Sequence, residues 1–282
     1  MCTLPLLNAI CRECYSEPEA VYQTLQRRGM DLVTVSDHDS IDAGEALRHH
    51  SNFFISEEVT CRMPSGNELH VGVYDLTERQ HLEIQRRRND LPRLVAFLDE
   101  EQLFYSVNHA FSALTGRRSF EDFRWFDGAF PAAEVRNGHC LERNNRLAER
   151  MAAQTGMIKL GGSDAHTLLS LGSVCTSVPG AQNKAEYLEG LRNGQGRVEG
   201  KSGNLWRLTR DVLQIGAALM EERPVARLLA PLALAVPVVT LLNYVVEDLF
   251  ARHWGSRWER WRGLENRPPA GGMRAAPGEA RA

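Results

Sequence analysis

The chain has 282 residues, 43% of them apolar, and a formal net charge of −3 at pH 7. That size supports one sizeable core with an appendage. The near-neutral balance excludes any argument for nucleic-acid binding from charge alone, and six cysteines over this length exclude a disulfide scaffold as the organising principle.

The opening MCTLPLLNAI lacks a basic region and a long apolar core, so it does not read as a signal peptide. Cys11 and Cys14 form a lone C-x-x-C, read as a reduced, merely spaced pair rather than structural zinc. Ser16-Glu17-Pro18-Glu19 reads as a capping box. The helix it predicts turns Ala20, Val21, Leu25 and the apolar part of Tyr22 inward, and Gly29 closes it. A β-branched run then predicts a strand over 31–36, stopping at Asp37-His38-Asp39-Ser40. A short helix follows over 41–48. The run 53–58 ends in Glu57 and Glu58. Residues 63–67 form a turn signal, and 68–74 carries His70 among alternating apolar residues.

Residues 77–88 and 91–101 are helical by period, and Arg86, Arg87 and Arg88 read as a solvated helix end. The strand-like run 103–109 ends at Asn108 and His109. A short helix is expected over 119–126, a strand over 132–135, an amphipathic helix over 141–154 and a strand over 157–161. That last strand leads into Ser163-Asp164-Ala165-His166. A strand over 173–178 and a helix over 184–192 complete an alternation that argues for a parallel sheet or barrel. After Gly203 a moderately apolar helix over 205–220 precedes nineteen uncharged residues, 228–246. These would extend about 28 Å as a helix, close to a bilayer core of about 30 Å. Phe250, Trp254, Trp258 and Trp261 then recur at helical spacing, with Arg252, Arg257, Arg260 and Arg262 elsewhere, as in a helix lying at a membrane surface. The competing reading is an apolar helix docked on the barrel or in a dimer.

In parallel α/β folds, chemistry sits where strands end. Histidine, Asp and Glu at several strand ends are what a multinuclear Zn, Mn or Fe centre needs, because a carboxylate can bridge two ions. The segments SDHDS, SEEVT, ELHVGVY, NHA, EVRNG and GGSDAHT resemble the successive motifs of the PHP family, the polymerase and histidinol phosphatase metallophosphoesterases. They occur in the family's order across residues 16–200.

The resemblance implies an α/β fold: a PHP-like distorted (β/α)7 barrel over 1–203. A C-terminal helical, membrane-associating segment over 204–263 and a disordered tail over 264–282 complete the expected organisation. By resemblance, Glu58, His70 and His109 hold one metal, Glu58 bridges to a second that Asp164 binds, and His38 and His166 hold a third. The divalent ions, up to three, would be Zn, Mn or Fe. The implied activity is hydrolysis of a phosphate mono- or diester by a metal-activated water, with Asp164, His109 and Glu58 as the catalytic set. Arg62, Arg117 and Arg118 are candidate phosphate clamps, each weighed against an ordinary surface arginine. His49, His50, His81, His139 and His253 match no motif and read as ordinary histidines.

One departure stands out. The family opens with a strand ending His-x-His, and here that position falls on Ile10-Cys11-Arg12. The expectation is that Met1 is not the true start, that the first strand is missing and that a gap opens between its neighbours. The expected partners are a small phosphorylated substrate or nucleotide and a membrane surface through 228–262, in a cytoplasmic protein. Two alternatives remain: a catalytically inactive barrel serving as a membrane-associated binding or scaffold module, and a metal hydrolase acting on a non-phosphate ester or amide.

Overall fold

The computed structural model describes residue 12 and residues 14–265. Cys11 of the C-x-x-C, the position of the expected His-x-His before Arg12, and the tail from 266 lie outside the described residues. The first helix, α1 (Pro18–Arg27), has proline in its first turn and buries Val21 and Leu25. The expected capping box does not form: Glu17, not Ser16, is the N-cap, and no side chain caps the helix.

Strand β1 (Ser36–His38) is followed by α2 (Asp42–Leu47) and β2 (Ser56–Arg62). β1 and β2 run parallel, with His38 opposite Glu58. The predicted turn at 63–67 joins β2 to β3 (Glu68–Tyr74), so these two are antiparallel and Thr60 faces His70. Helices α3 (Glu78–Arg87) and α4 (Leu91–Glu100) precede β4 (Phe104–Val107), which runs antiparallel to β3. The chain continues through α5 (Asp122–Gly128), β5 (Ala132–Asn137), α6 (Glu142–Thr155) and β6 (Ile158–Gly162), with β4, β5 and β6 parallel. The sheet order is β1-β2-β3-β4-β5-β6.

This corrects two expectations. The sheet is mixed, because the tight 63–67 turn can only connect antiparallel strands. Among the described residues it has six strands and forms an open, curled half-barrel, so the seven-strand count of the expected (β/α)7 barrel is not reached. Its two edges, β1 and β6, border a cavity of about 1440 Å³ lined by residues 31–38 on one side and 160–167 on the other. Val21 and Leu25 of α1 form part of the same wall.

Beyond β6, β7 (Val174–Ser177) pairs antiparallel with β8 (Arg197–Gly200), and α7 (Lys184–Arg192) lies between them in sequence. The Thr176 hydroxyl accepts from the Gly161 N–H and lies 3.1 Å from the Gly161 carbonyl, tying this pair to β6. β8 escaped the sequence reading because Arg-Val-Glu-Gly has a single apolar residue and no alternation.

The C-terminal segment comprises α8 (Leu205–Glu222), a 3-10 stretch (Pro224–Ala235) interrupted by Pro231, and α9 (Val236–Glu265). Its far end is not a membrane-facing tryptophan stripe. Ala251, Trp258 and Trp261 are buried in the main core with Phe123 and Phe126, and Trp254 packs against it. The Phe123 ring meets Trp258 edge-on at 5.4 Å, and Trp258 Nε1 donates to Gln154 Oε1 at 2.7 Å. The aromatic spacing was therefore a docking face: indole rings bury more apolar area against protein than any other side chain. The near half behaves differently. Leu228 and Leu234 are 80% and 86% exposed, and Val238, Leu241, Leu242, Val245 and Leu249 form an uncovered apolar stripe.

Docking of α9 gives a measurable expectation. Trp258→Ala should lower the unfolding free energy by about 3–5 kcal/mol, the usual cost of emptying a buried aromatic site. Urea unfolding followed by far-UV circular dichroism measures it, and an unchanged midpoint would mean that α9 is not part of the core.

Candidate metal centre

The strand registers converge the ligand-type side chains. His38, at the end of β1, sits opposite Glu58 within β2. His70 enters from the start of β3, which antiparallel pairing places at the end of β2. The Asn108 N–H donates to the His70 carbonyl, bringing the loop after β4 alongside. His38 Nε2 lies 3.7 Å from Glu58 Oε2, His70 Nδ1 lies 3.4 Å from Glu58 Oε1, and His109 Nε2 lies 3.7 Å from the same oxygen. His70 Nδ1 and His109 Nε2 are 2.9 Å apart.

These separations test whether a cation fits. Donors sharing one tetrahedral ion at about 2.0–2.1 Å stand about 3.4 Å from each other. The Glu58–His70 and Glu58–His109 separations lie close to that spacing, the two imidazole nitrogens stand nearer at 2.9 Å, and imidazole with carboxylate is a donor set that zinc, manganese and iron accept. The residues present fit a divalent metal.

A second group lies beside the first. Glu134 Oε2 accepts from the His109 backbone N–H at 3.0 Å and stands 3.2 Å from His109 Nδ1. Asn137 Nδ2 donates to Glu134 and, at 3.0 Å, to Asp164 Oδ2. His166 Nδ1 lies 3.1 Å from the Asp164 carbonyl oxygen, and the His166 ring packs on that of His139 at 5.4 Å. Thus all six expected ligands, His38, Glu58, His70, His109, Asp164 and His166, gather around one site from positions spread along the chain. Two site residues hold left-handed backbone, His109 at φ 29° and Asp164 at 46°. Non-glycine residues adopt that region at a cost, and such strain concentrates at functional sites.

The electrostatics are those of a buried acidic pocket holding imidazoles. Burial alone would raise the Glu58 carboxyl, but the His70 hydrogen bond and the charges of His109, His70 and His38 hold it well below the usual carboxylate range. Burial likewise opposes charge on His109, yet Glu134, Glu58 and Asp164 lift it to about 9. Burial pushes Glu134 up, with Asp164 and Glu58 adding to the rise and His109 opposing it. Two buried carboxylates, Glu58 and Glu134, and the partly buried Asp164 around one cavity favour cations.

Glu134 and Asn137 lay within a recognised motif, EVRNG, without an assigned role. The missing signal was position: they become site residues only because β5 lies between β4 and β6. Asn108 was also unassigned. Its Nδ2 donates to Glu58 Oε1 at 2.9 Å, and its Oδ1 accepts from Ser106 Oγ at 2.8 Å.

The three candidate phosphate clamps do not line the cavity. Arg118 is buried and donates to the carbonyls of Ala110, Glu68 and Arg117 and to the Thr115 hydroxyl. Burial pushes its guanidinium down to about 10, against the opposing charge of Asp122. It braces the 110–118 loop, with four of its five N–H donors engaged there and its side chain away from the cavity. Arg62 and Arg117 are exposed. Arg28 and Lys184 are the cations that do line the cavity; Arg28 is committed to the carbonyls of Leu168, Leu169 and Leu171, and Lys184 pairs with Asp75 at 2.9 Å.

Two buried carboxylates from the C-terminal helices support these loops. Asp211 of α8 accepts from Thr167 and Ser170 and contacts His139 Nε2 at 3.0 Å. Glu247 of α9 accepts from the Ser112 hydroxyl, the Ala113 N–H and Asn144 Nδ2.

Fold and site together define an open α/β half-barrel with a His/carboxylate cluster at the strand ends whose donor set fits a cation. The PHP-associated family model matches residues 142–195, from α6 through α7, and the PHP resemblance carried by the motifs stands. The chain is similar in structure to PsfC from Pseudomonas syringae, with a TM-score of 0.51, 17% identity, and coverage of 72% of this chain and 88% of that one. It also matches the lesion-specific endonuclease EndoQ from Pyrococcus furiosus, at TM-score 0.49 and 16% identity, covering 66% of this chain and 54% of that one. A third match is a Bifidobacterium adolescentis protein provisionally assigned as a metal-dependent phosphoesterase, at TM-score 0.37 and 14% identity, covering 55% and 84% of the two chains. At 17% identity the likeness to PsfC is one of fold alone. No curated protein matches the chain in sequence.

Gly72 gives the site a test. A Cβ there would stand 2.6 Å from the Tyr74 hydroxyl, 2.9 Å from Asn108 Oδ1 and 3.0 Å from Ser106 Oγ. Gly72→Ala should therefore dislodge Asn108 from Glu58 and destabilise the fold by about 1–3 kcal/mol, as overpacking does. Thermal unfolding of the variant checks this; wild-type stability would show that the Ser106–Asn108–Glu58 chain is not as described.

Proposed function

We propose that the chain is a metal-dependent hydrolase acting on a phosphate mono- or diester. The observation that carries this is the spacing of Glu58, His70 and His109, whose donor atoms stand 2.9–3.7 Å apart in a buried pocket. Glu58, His70 and His109 would hold one divalent ion, Glu58 and Asp164 a second, and His38 and His166 a third. When bound, such ions lower the pKa of a water and neutralise charge on phosphoryl oxygens.

The chain's own residues supply the rest. Glu134 fixes the His109 ring through Nδ1 and its backbone through the N–H, leaving Nε2 turned toward Glu58. Asn108 orients the Glu58 carboxylate, and Asn137 ties Glu134 to Asp164, so the two halves keep a set distance. The buried floor excludes bulk water, which strengthens each electrostatic contact. The cavity between β1 and β6 admits a small phosphorylated molecule or nucleotide, with the Lys184 ammonium on its wall as the cation for a second anionic group.

The uncovered apolar stripe of α9 and the 3-10 stretch before it fit a membrane surface, through a shorter segment than the whole of 228–262 because the tryptophans beyond it are buried. The exposed apolar residues of the 3-10 stretch and α9 favour a second reading, a non-catalytic binding module at a membrane.

Hydrolysis decides between the two. His109→Ala and Asp164→Ala should each cut turnover of p-nitrophenyl phosphate or its diester by about 100-fold or more, with metal content reduced and the fold retained. Unchanged turnover in either variant, measured in metal-stripped buffer with metal added back, would remove the assignment. For the membrane surface, the full chain should co-float with liposomes. A chain that stays at the bottom of the gradient as a clean soluble species would assign the stripe to protein contact.

A further inference from the structure

We infer that Glu19, His49 and His50 form a second divalent-metal site on the outer surface, separate from the strand-end centre. One donor atom from each residue lies within 4.8 Å of the others. Glu19 comes from α1, and the two histidines from the turn that follows α2. This is a borderline donor set of two imidazoles and one carboxylate, suited to Zn(II) and open to water at its remaining positions.

Each donor is already oriented by a partner on its far side. His49 Nδ1 lies 3.0 Å from the Ala46 carbonyl. A carbonyl can only accept, so Nδ1 carries the proton and the Nε2 lone pair is left outward. The His50 ring stacks on Tyr22 at 3.6 Å with an 11° interplanar angle, and touches His49 at 4.0 Å. Tyr22 is itself fixed, because its hydroxyl donates to Asn52 Oδ1 at 2.6 Å and Asn52 donates on to the Asp31 carbonyl. Glu19 Oε1 accepts from Gln23 Nε2 at 3.0 Å, which turns Oε2 toward His50 Nε2 at 3.0 Å. That last contact is a hydrogen bond whose shared proton a cation replaces with little movement of either ligand. Held ligands lose less freedom on binding, and outer hydrogen bonds of this kind typically change metal affinity by about 10–100-fold.

The site would act as a clamp. It links the first turn of α1 to the turn at 48–50, and α1 contributes Val21 and Leu25 to the cavity wall. A cation here fastens that wall from outside without touching the strand-end ligands.

Zn(II) alone is the probe, titrated calorimetrically into the full chain. Wild type and His109→Ala should both show one exchangeable equivalent of micromolar affinity beyond any held by the strand-end centre. His50→Ala should lose it. Glu19→Gln, a substitution at a half-exposed side chain that leaves the fold intact, should weaken it by about tenfold or more. Co(II) in place of Zn(II) should give visible absorption that disappears in the same two variants. Equal stoichiometry and affinity in wild type and Glu19→Gln would overturn the inference. So would loss of the exchangeable equivalent in His109→Ala alone, because that would place it at the strand-end centre. Failure of the proposed hydrolysis would leave this test untouched.

Discussion

The arrangement depends on one buried carboxylate, Glu58, surrounded by imidazoles. An ionised carboxylate away from water is costly unless hydrogen-bonded and paired. Glu58 meets that requirement with His38, His70 and His109 within 3.7 Å and with the Asn108 amide at 2.9 Å. Satisfying it constrains four strands at once. β1 must pair with β2 in the register that sets His38 opposite Glu58, β3 must return antiparallel to bring His70 back, and β4 must end beside His70. The lack of a side chain at Gly72 follows from the same requirement, since the Ser106–Asn108 chain occupies that space.

The C-terminal helices are part of this construction rather than an appendage. Asp211 and Glu247 reach back across 41 to 135 residues of sequence to hold the loops that follow β4, β5 and β6. Removing either partner would strand a buried carboxylate. The 3-10 stretch between them exposes Leu228, Leu232 and Leu234, and α9 exposes its apolar stripe. The segment therefore has two faces: one bracing the site loops, one offered outward. The hairpin is bonded to itself as well, through the Thr209 and Thr240 hydroxyls at 2.7 Å.

Much of this was legible in the residues. Helices with strong period, such as α4, α6 and α7, stand within a residue or two of their expected limits. Their apolar spacing alone determines which face is buried. The ligand-type residues were legible because His, Asp and Glu at strand ends are rarely needed for packing. Four things were not. Strand direction depended on the length of one turn, which periodicity does not encode. The role of Trp254, Trp258 and Trp261 was ambiguous, because a helix face rich in tryptophan satisfies a membrane interface and a protein core by the same burial. Arg118 was misread because the sequence shows its charge but not the carbonyls around it. Glu134, Asn137 and Asn108 act through neighbours 25 to 50 positions away, and no local spacing reveals that.

The central claim is that Glu58, His70 and His109 bind one cation. Crystals grown with Zn(II) or Mn(II) and measured at the metal's absorption edge test it directly. The account predicts an anomalous peak within ligand distance of Glu58 Oε1, His70 Nδ1 and His109 Nε2, about 2.0–2.2 Å from each. Anomalous density confined to other parts of the molecule, with these three side chains still hydrogen-bonded to one another, would contradict it.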